Sequence, residues 1–507
     1  MFKSLPIIFF LLSMLNIYSQ DVTISSGVKM TVTEGGKVTI DGNLILGDSE
    51  SLEIHNSSVI LKGTSSGNMT YTKTISTKLW QFISSPVDDQ TLAKFVARED
   101  LTSGQGNHSN NKGLAYYDNL TSKWVIYNTV DNSDYFTSDL IFKPGQGWVV
   151  QLEGVGEKDI SFIGSFPDSD INSNDLTSTE IKYNFIGNPY PSYIAGNNIT
   201  NQSFNFLKTN KDSLEEMTLW FWDQDENHYN LKNQTTDDFY IKPAQGFFIK
   251  SKANLGFNFN KNMQSHRSTV TDQQKTSSSR PEIKLMITDG SSNRSTDIFY
   301  IEATTTGFDN GYDSTIFYNG GTEFGIYTHL VSDSQGDDYG IQSLPDNNFE
   351  NMVVPVGINA TSSTEIIISA AIVNFPVGIS VYLEDKVNNS YTLLDDATTF
   401  TTTLSEDING IGRFYLHTTS SVLSADKVAL NNNISIYTSS KENLRISGVN
   451  TGVAKLSVYN ILGKQVLNTS FEGNGMNDIA LPKNISKGVY IVHLVTDTET
   501  VNKKIMI

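Results

Sequence analysis

Trp80-Gln81-Phe82-Ile83-Ser84-Ser85-Pro86 and Tyr183-Asn184-Phe185-Ile186-Gly187-Asn188-Pro189 are two versions of one pattern. Leu114-Ala115-Tyr116-Tyr117-Asp118 matches Leu219-Trp220-Phe221-Trp222-Asp223 in the same way. Phe142-Lys143-Pro144-Gly145-Gln146-Gly147-Trp148-Val149-Val150 matches Ile241-Lys242-Pro243-Ala244-Gln245-Gly246-Phe247-Phe248-Ile249. The order is kept, at offsets of 103, 105 and 99 residues. That period exceeds ordinary solenoid repeats, so residues 76–262 read as a duplicated β-module, with copies at about 76–165 and 180–262. The Lys-Pro-x-Gln-Gly element reads as a turn feeding a strand, because proline fixes φ and glycine permits the bend.

On the N-terminal side, residues 22–62 alternate between apolar and polar positions: Val28, Met30 and Val32; Val38 and Ile40; Leu44 and Leu46; Leu52 and Ile54; Val59 and Leu61. Turns at Gly35-Gly36, Asp41-Gly42 and Asn56-Ser57 separate short strands. The rhythm fits solenoid rungs or a run of hairpins over 21–75, a segment too short to bury a core alone. On the C-terminal side, a polar, serine-rich stretch over 263–280 reads as a linker. Strands resume over 281–425, for example Ile283–Ile287 and Ile379–Leu383, and suggest another sandwich. The best helical signal runs from Thr91 to Glu99, with Asp88 or Asp89 as its expected cap. The expected fold is therefore all-β and multi-domain: tandem β-sandwich-like modules, a short β-solenoid-like or hairpin N-terminal segment, and a small C-terminal β-sandwich.

That last element is read from Leu456-Ser457-Val458-Tyr459-Asn460-Ile461-Leu462-Gly463-Lys464-Gln465-Val466, then Ile479-Ala480-Leu481, then Lys487-Gly488-Val489-Tyr490-Ile491-Val492, and the ending Lys503-Lys504-Ile505-Met506-Ile507. Gly463 stands between two apolar runs, where a hairpin needs positive φ, and Gly488 opens the last strong strand. Residues 433–507 resemble the type A C-terminal sorting domain of the type IX secretion system of Bacteroidetes. The family usually opens on a Tyr-Pro-Asn-Pro element, and Ile434-Ser435-Ile436-Tyr437-Thr438-Ser439 stands in its place here. The resemblance implies recognition by the type IX secretion machinery, with Gly463, Gly488, Tyr490, Lys503 and Lys504 as matched positions of the signal. It also implies secretion or display on the outer cell surface, by way of the periplasm. The Asn188-Pro189-Tyr190-Pro191-Ser192 stretch resembles a signature of secreted flavobacterial surface proteins that carries no assigned activity.

Residues 1–20 fit an entry signal: Lys3, an apolar stretch from Leu5 to Leu15, and Tyr18-Ser19-Gln20. About 11 apolar residues are too few to span a bilayer, and no later segment reads as a transmembrane helix. The 507 residues include no cysteine, which excludes disulfides and thiolate metal sites. The formal net charge of −19 argues against nucleic acid and anionic lipid as partners.

No catalytic constellation emerges, and no cofactor is implied. Seven histidines, at 55, 108, 228, 266, 329, 417 and 493, show no zinc-protease spacing. Gly63-Thr64-Ser65-Ser66-Gly67 matches a nucleophile-elbow pattern but precedes a strand, where the pattern lacks its meaning. Asp309-Asn310-Gly311-Tyr312-Asp313 offers Asp309 and Asp313 as calcium oxygens, or is an Asx-rich turn. All five tryptophans lie in the duplicated region. Alternation puts Trp220 and Trp222 on one strand face, with Tyr116 and Tyr117 equivalent in the first copy. These are candidate sugar-stacking rings, or core residues. The expected function is a non-catalytic adhesion or polymer-binding protein, with extracellular polysaccharide as ligand. The alternatives are a polysaccharide lyase or glycoside hydrolase and a structural component of the cell surface or gliding apparatus.

Overall fold

The computed structural model describes residues 21–130, 140–172, 182–198, 204–236, 238–252, 255–266, 279–318, 324–350, 352–395, 397–420 and 434–506, apart from 441–442, 450–451, 474, 484, 487 and 498–499. The stretch read as an entry signal, 1–20, lies outside these residues, as does most of the serine-rich stretch. The first residues of that stretch are ordered, with Gln264–Ser265 forming a short strand on Tyr193–Asn197. The chain divides into two compact units, Met1–Thr276 and Ser277–Ile507.

The first unit opens with a three-sided parallel solenoid. Val22–Ile24, Leu44–Leu46 and Ser65–Ser66 stack on one side. Met30–Val32, Leu52–His55 and Asn68–Ser76 stack on the second, and Lys37–Ile40 with Ser58–Leu61 on the third. Parallel stacking decides for rungs over hairpins, since hairpins pair antiparallel. Ile24, Val32, Ile40, Leu44, Leu52, Ile54 and Leu61 point inward and are buried. Val28, expected in this series, is 56% exposed, in the bend between the first two strands. The stack does lean on its C-terminal neighbour. Asn68–Ser76 also pairs antiparallel along its whole length with Glu157–Ser165, and one apolar cluster runs from Ile24 to Phe166.

Two four-stranded antiparallel sheets come next. In the first, Lys123–Asn128, Asn111–Asp118, Gly147–Val150 and Gln81–Ser84 are neighbours in that order. In the second, the order is His228–Lys232, Leu214–Asp223, Gly246–Ser251 and Lys182–Gly187. Ile186, Tyr190, Phe206, Leu219, Phe247 and Phe259 belong to the second core. The expected helix is Leu92–Arg98, but its cap is Thr91, whose hydroxyl accepts from the Lys94 N–H at 3.4 Å. Asp89 sits at φ +63° in the turn before it.

The second unit is built on an 11-stranded sheet that folds over its own core of Ile283, Ile298, Leu344, Val356, Ile368 and Leu416 among others. Asp385, fully buried there, is held by Arg413 through two bonds, Nε to Oδ1 at 3.0 Å and Nη2 to Oδ2 at 2.8 Å. The C-terminal sandwich pairs a three-stranded sheet with a four-stranded one over Ile446, Leu456, Val458, Val492 and Leu494. Gly463 takes φ +77° in the turn joining Val453–Asn460 to Gln465–Glu472, as the hairpin requires. Tyr490 is buried, its hydroxyl donating to the Ser486 carbonyl at 2.7 Å. Lys503 and Lys504 lie on the last strand, opposite Val492 and Ile491. This sandwich rests on the strand Ile408–Thr419, where a Cβ built on Gly412 would lie 3.3 Å from the Ser447 Cβ. One built on Gly410 would lie 2.9 Å from the Arg445 guanidinium. Among the described residues no helix is long and apolar enough to cross a membrane.

Candidate functional site

Strand alternation sorts the aromatic residues of the duplicated region into two destinations. In Leu214–Asp223, Leu219 and Phe221 face the second core, with Phe221 5.3 Å from the Phe247 ring. Trp220 and Trp222 share the opposite face, as their spacing requires. That face is turned toward the first sheet. Trp220 is 0% exposed and meets Tyr183 edge-on at 5.2 Å. Trp222 is half-buried, stacked 6.2 Å from Phe82 and edge-on to Tyr229 at 5.0 Å. In the first sheet, Tyr116 packs on Trp148 at 5.5 Å beside its own core. Tyr117 turns the other way, 5.3 Å from Trp124 and 5.0 Å from Phe248.

The sheets therefore meet through one aromatic layer: Phe82, Tyr117 and Trp124 from the first, and Phe185, Trp222, Tyr229 and Phe248 from the second. Its centre is closely packed, with Phe82 and Phe185 4.6 Å apart and Phe185 and Phe248 4.7 Å apart. Most pairs are tilted or edge-on, the geometry ring quadrupoles prefer in packed interiors. Half-buried edges of Tyr117, Trp124, Trp222 and Tyr229 reach the rim. Two amide pairs flank them, Gln81 donating to Gln224 and Asn119 donating to Asn184. Of the four candidate rings, the structure brings Trp222 and Tyr117 to this rim, buries Trp220 on the same face as Trp222, and turns Tyr116 to the opposite face of the first sheet, against Trp148. Sequence reasoning missed Phe82, Trp124, Phe185, Tyr229 and Phe248 as members. Of these, Phe82 and Phe185 recur at matched positions of the two copies, and that recurrence is a signal that could have found them.

The Lys-Pro-x-Gln-Gly turns close the same junction with main-chain bonds. The Ser84 N–H donates to the Ala244 carbonyl at 3.3 Å, and the Gly187 N–H to the Gly145 carbonyl at 3.0 Å. Gly145 and Ala244 both take positive φ, +79° and +52°. The Lys73 ammonium braces the second turn, donating to the Pro243 and Ala244 carbonyls at 3.1 Å each. Burial, with Lys242 adding repulsion, pulls the Lys73 pKa down to about 7. Unfolded, the same lysine keeps its proton to an ordinary value of 10.5. Between those values the unfolded chain holds a proton that the folded chain has released, so stability rises with pH across that window and is flat below it. Lys73→Met removes that rise, which is about 3–4 kcal/mol between urea denaturations at pH 7 and pH 10.

Away from the layer, two carboxylates each bind an imidazole and a phenol. His329 Nε2 lies 2.7 Å from Asp338 Oδ1, while the Tyr318 hydroxyl donates to Oδ2 at 3.0 Å. His417 Nε2 lies 2.8 Å from Glu384 Oε2, while the Tyr391 hydroxyl donates to Oε1 at 2.7 Å. Burial and the neighbouring carboxylate push both phenols above their usual range. Asp309 and Asp313 are engaged by their own loop and by the strand Tyr339–Pro345. The Thr305 N–H donates to Asp309 Oδ2, the Asp309 N–H to Asp313 Oδ2 and the Ser343 N–H to Asp313 Oδ1, each at 2.6 Å. Among the described residues no three His, Cys, Asp or Glu side chains converge to hold a metal ion. Ser65 lies in a solenoid strand, its hydroxyl donating to the Phe166 carbonyl at 2.8 Å.

Residues 10–417 match the family model described as Domain of unknown function (DUF8693). Residues 430–507 match the Secretion system C-terminal sorting domain. No curated protein matches the chain. Among solved structures, the BSP domain of a biofilm associated protein superposes with a TM-score of 0.18 at 9% identity, over 85% of this chain and 95% of that one. The chain thus belongs to the DUF8693 family and carries a type IX secretion sorting domain, which marks it as a secreted protein exported to the cell surface or the extracellular space.

Proposed function

We propose that this is a non-catalytic surface protein of a member of the Bacteroidetes, adhering to a polymer through its duplicated module, with extracellular polysaccharide as the ligand class. The observation that carries the reading is the rim where the two sheets meet. Half-buried Tyr117, Trp124, Trp222 and Tyr229 stand beside the Gln81–Gln224 and Asn119–Asn184 amides. Aromatic faces with adjacent amides suit a sugar, which offers apolar C–H patches and hydroxyls together. Trp220 lies on the same strand face as Trp222, and Tyr116 on the opposite face of the first sheet, against Trp148. Matching strand orders in the two sheets support the duplication itself. We take Gly463, Gly488, Tyr490, Lys503 and Lys504 as part of the sorting signal. We divide the chain at 1–20, 21–75, 76–262, 263–280, 281–425 and 433–507.

A glycan screen of the full chain, scoring binding and product release together, tests this reading. Binding without turnover is expected, weakened at least tenfold by Trp222→Ala. A blank for binding across the screen sinks it. Product release favours a polysaccharide-degrading enzyme instead and moves attention to the His329–Asp338–Tyr318 and His417–Glu384–Tyr391 clusters.

A further inference from the structure

The polar and main-chain contacts across the junction between the two sheets recur with the roles of the copies exchanged. Gln81 and Asn184 are matched positions, as are Asn119 and Gln224. Gln81 meets Gln224, and Asn184 meets Asn119. Ser84 donates to the turn at Ala244, and the matched Gly187 donates to the turn at Gly145. Ile83 forms a bridge with Gln245, and the matched Ile186 forms one with Gln146. Space near the centre is tight. A Cβ on Gly187 would lie 2.3 Å from the Ser84 Cβ, and one on Gly147 would lie 2.7 Å from the Phe185 ring. This is why the turn must end in glycine.

Contacts that survive exchange of the two sides define a self-complementary, isologous type of surface. Such a face is addressed to a copy of itself, whichever chain supplies that copy. Phe166 is buried in the first core, and Ile171–Asn172 already pair with Asn258–Phe259 of the second copy. The copies are therefore joined by a short connector over 167–170, and short connectors favour exchange of identical elements between chains. We propose that the junction is a self-recognition surface whose partner, besides the module of the same chain, is the module of a second copy, so that copies join by exchanging modules. The proposal rests on reading 76–262 as a duplicated module.

The absence of cysteine from the chain makes the test clean. In the full-length double variant Asn119→Cys/Asn184→Cys, mild oxidation should close a disulfide within one chain, seen as faster migration on a non-reducing gel. Asn119→Cys chains are then mixed at high concentration with Asn184→Cys chains. Exchange predicts a disulfide-linked dimer at least tenfold above a control in which Val155→Cys, at a position 93% exposed, replaces Asn119→Cys. Dimer at the control level, with the internal disulfide formed, overturns the proposal and leaves pairing within the chain only. Failure of the internal disulfide shows that the two positions are not neighbours and overturns the duplicated junction itself. Gln81→Cys and Gln224→Cys repeat the test at the counterpart contact, so that a local disturbance at buried Asn184 does not decide the result.

Discussion

Phe248→Ala destabilises the first unit by about 3–5 kcal/mol. The ring is fully buried and touches both sheets. It lies 4.7 Å from Phe185 and 5.9 Å from Tyr229 on its own side, and 5.0 Å from Tyr117 and 6.0 Å from Phe82 and Trp124 on the other. The cost is at the upper end for a core truncation because the hole cannot collapse. Main-chain bonds from Ser84 to Ala244 and from Gly187 to Gly145 hold the sheets at fixed separation, so the lost ring leaves a cavity as well as lost transfer energy. All five tryptophans lie in this unit, and tryptophan fluorescence in a urea titration therefore reports its unfolding alone. Leu120→Ala, at a position 62% exposed, shifts the same curve by no more than about 0.5 kcal/mol. A loss below about 1 kcal/mol at Phe248 would mean that the two sheets do not pack through this layer.

Arg413→Met costs the second unit a similar amount, about 3–5 kcal/mol, because it strands a buried carboxylate. Asp385 has no solvent contact. Without the guanidinium it keeps only the Val387 N–H at 3.0 Å and the Asn388 side-chain amide at 2.8 Å as strong donors. Removing both partners, as Arg413→Met/Asp385→Leu, recovers much of the loss, since two apolar groups of similar volume leave no charge to desolvate. Circular dichroism during denaturation follows this unit, which has no tryptophan. A double variant as unstable as the single one would place the cost in packing around the guanidinium stem and not in the orphaned charge.

Periodicity made the strands legible and left their surroundings open. The two-residue period put Trp220 and Trp222 on one face, but nothing in a single strand says whether that face meets water or another sheet. The opposing surface comes from Phe82, Tyr117 and Trp124, about a hundred residues earlier in the chain. The solenoid had the same gap. Alternation over 22–62 was equally compatible with hairpins, and only the parallel register of Val22 with Leu44 and Met30 with Leu52 separates the two. Val28 followed the rhythm yet lies in a bend, where chain direction overrides side-chain pattern. At the helix, Thr91 took the cap because Asp89 is committed to a left-handed turn. Gly463 was readable because a hairpin turn is local. The pairs His329–Asp338 and His417–Glu384 were not, since strand register far from either residue brings them together.

The seating of the C-terminal sandwich on Gly410 and Gly412 gives the export label a shape dependence. A side chain at Gly412 would press on Ser447, and one at Gly410 would displace the end of the Arg445 side chain, so bare backbone at both positions suits this seat. Moved to an unrelated passenger, the label would present that contact patch to water. Here, label and freight have been fitted to each other.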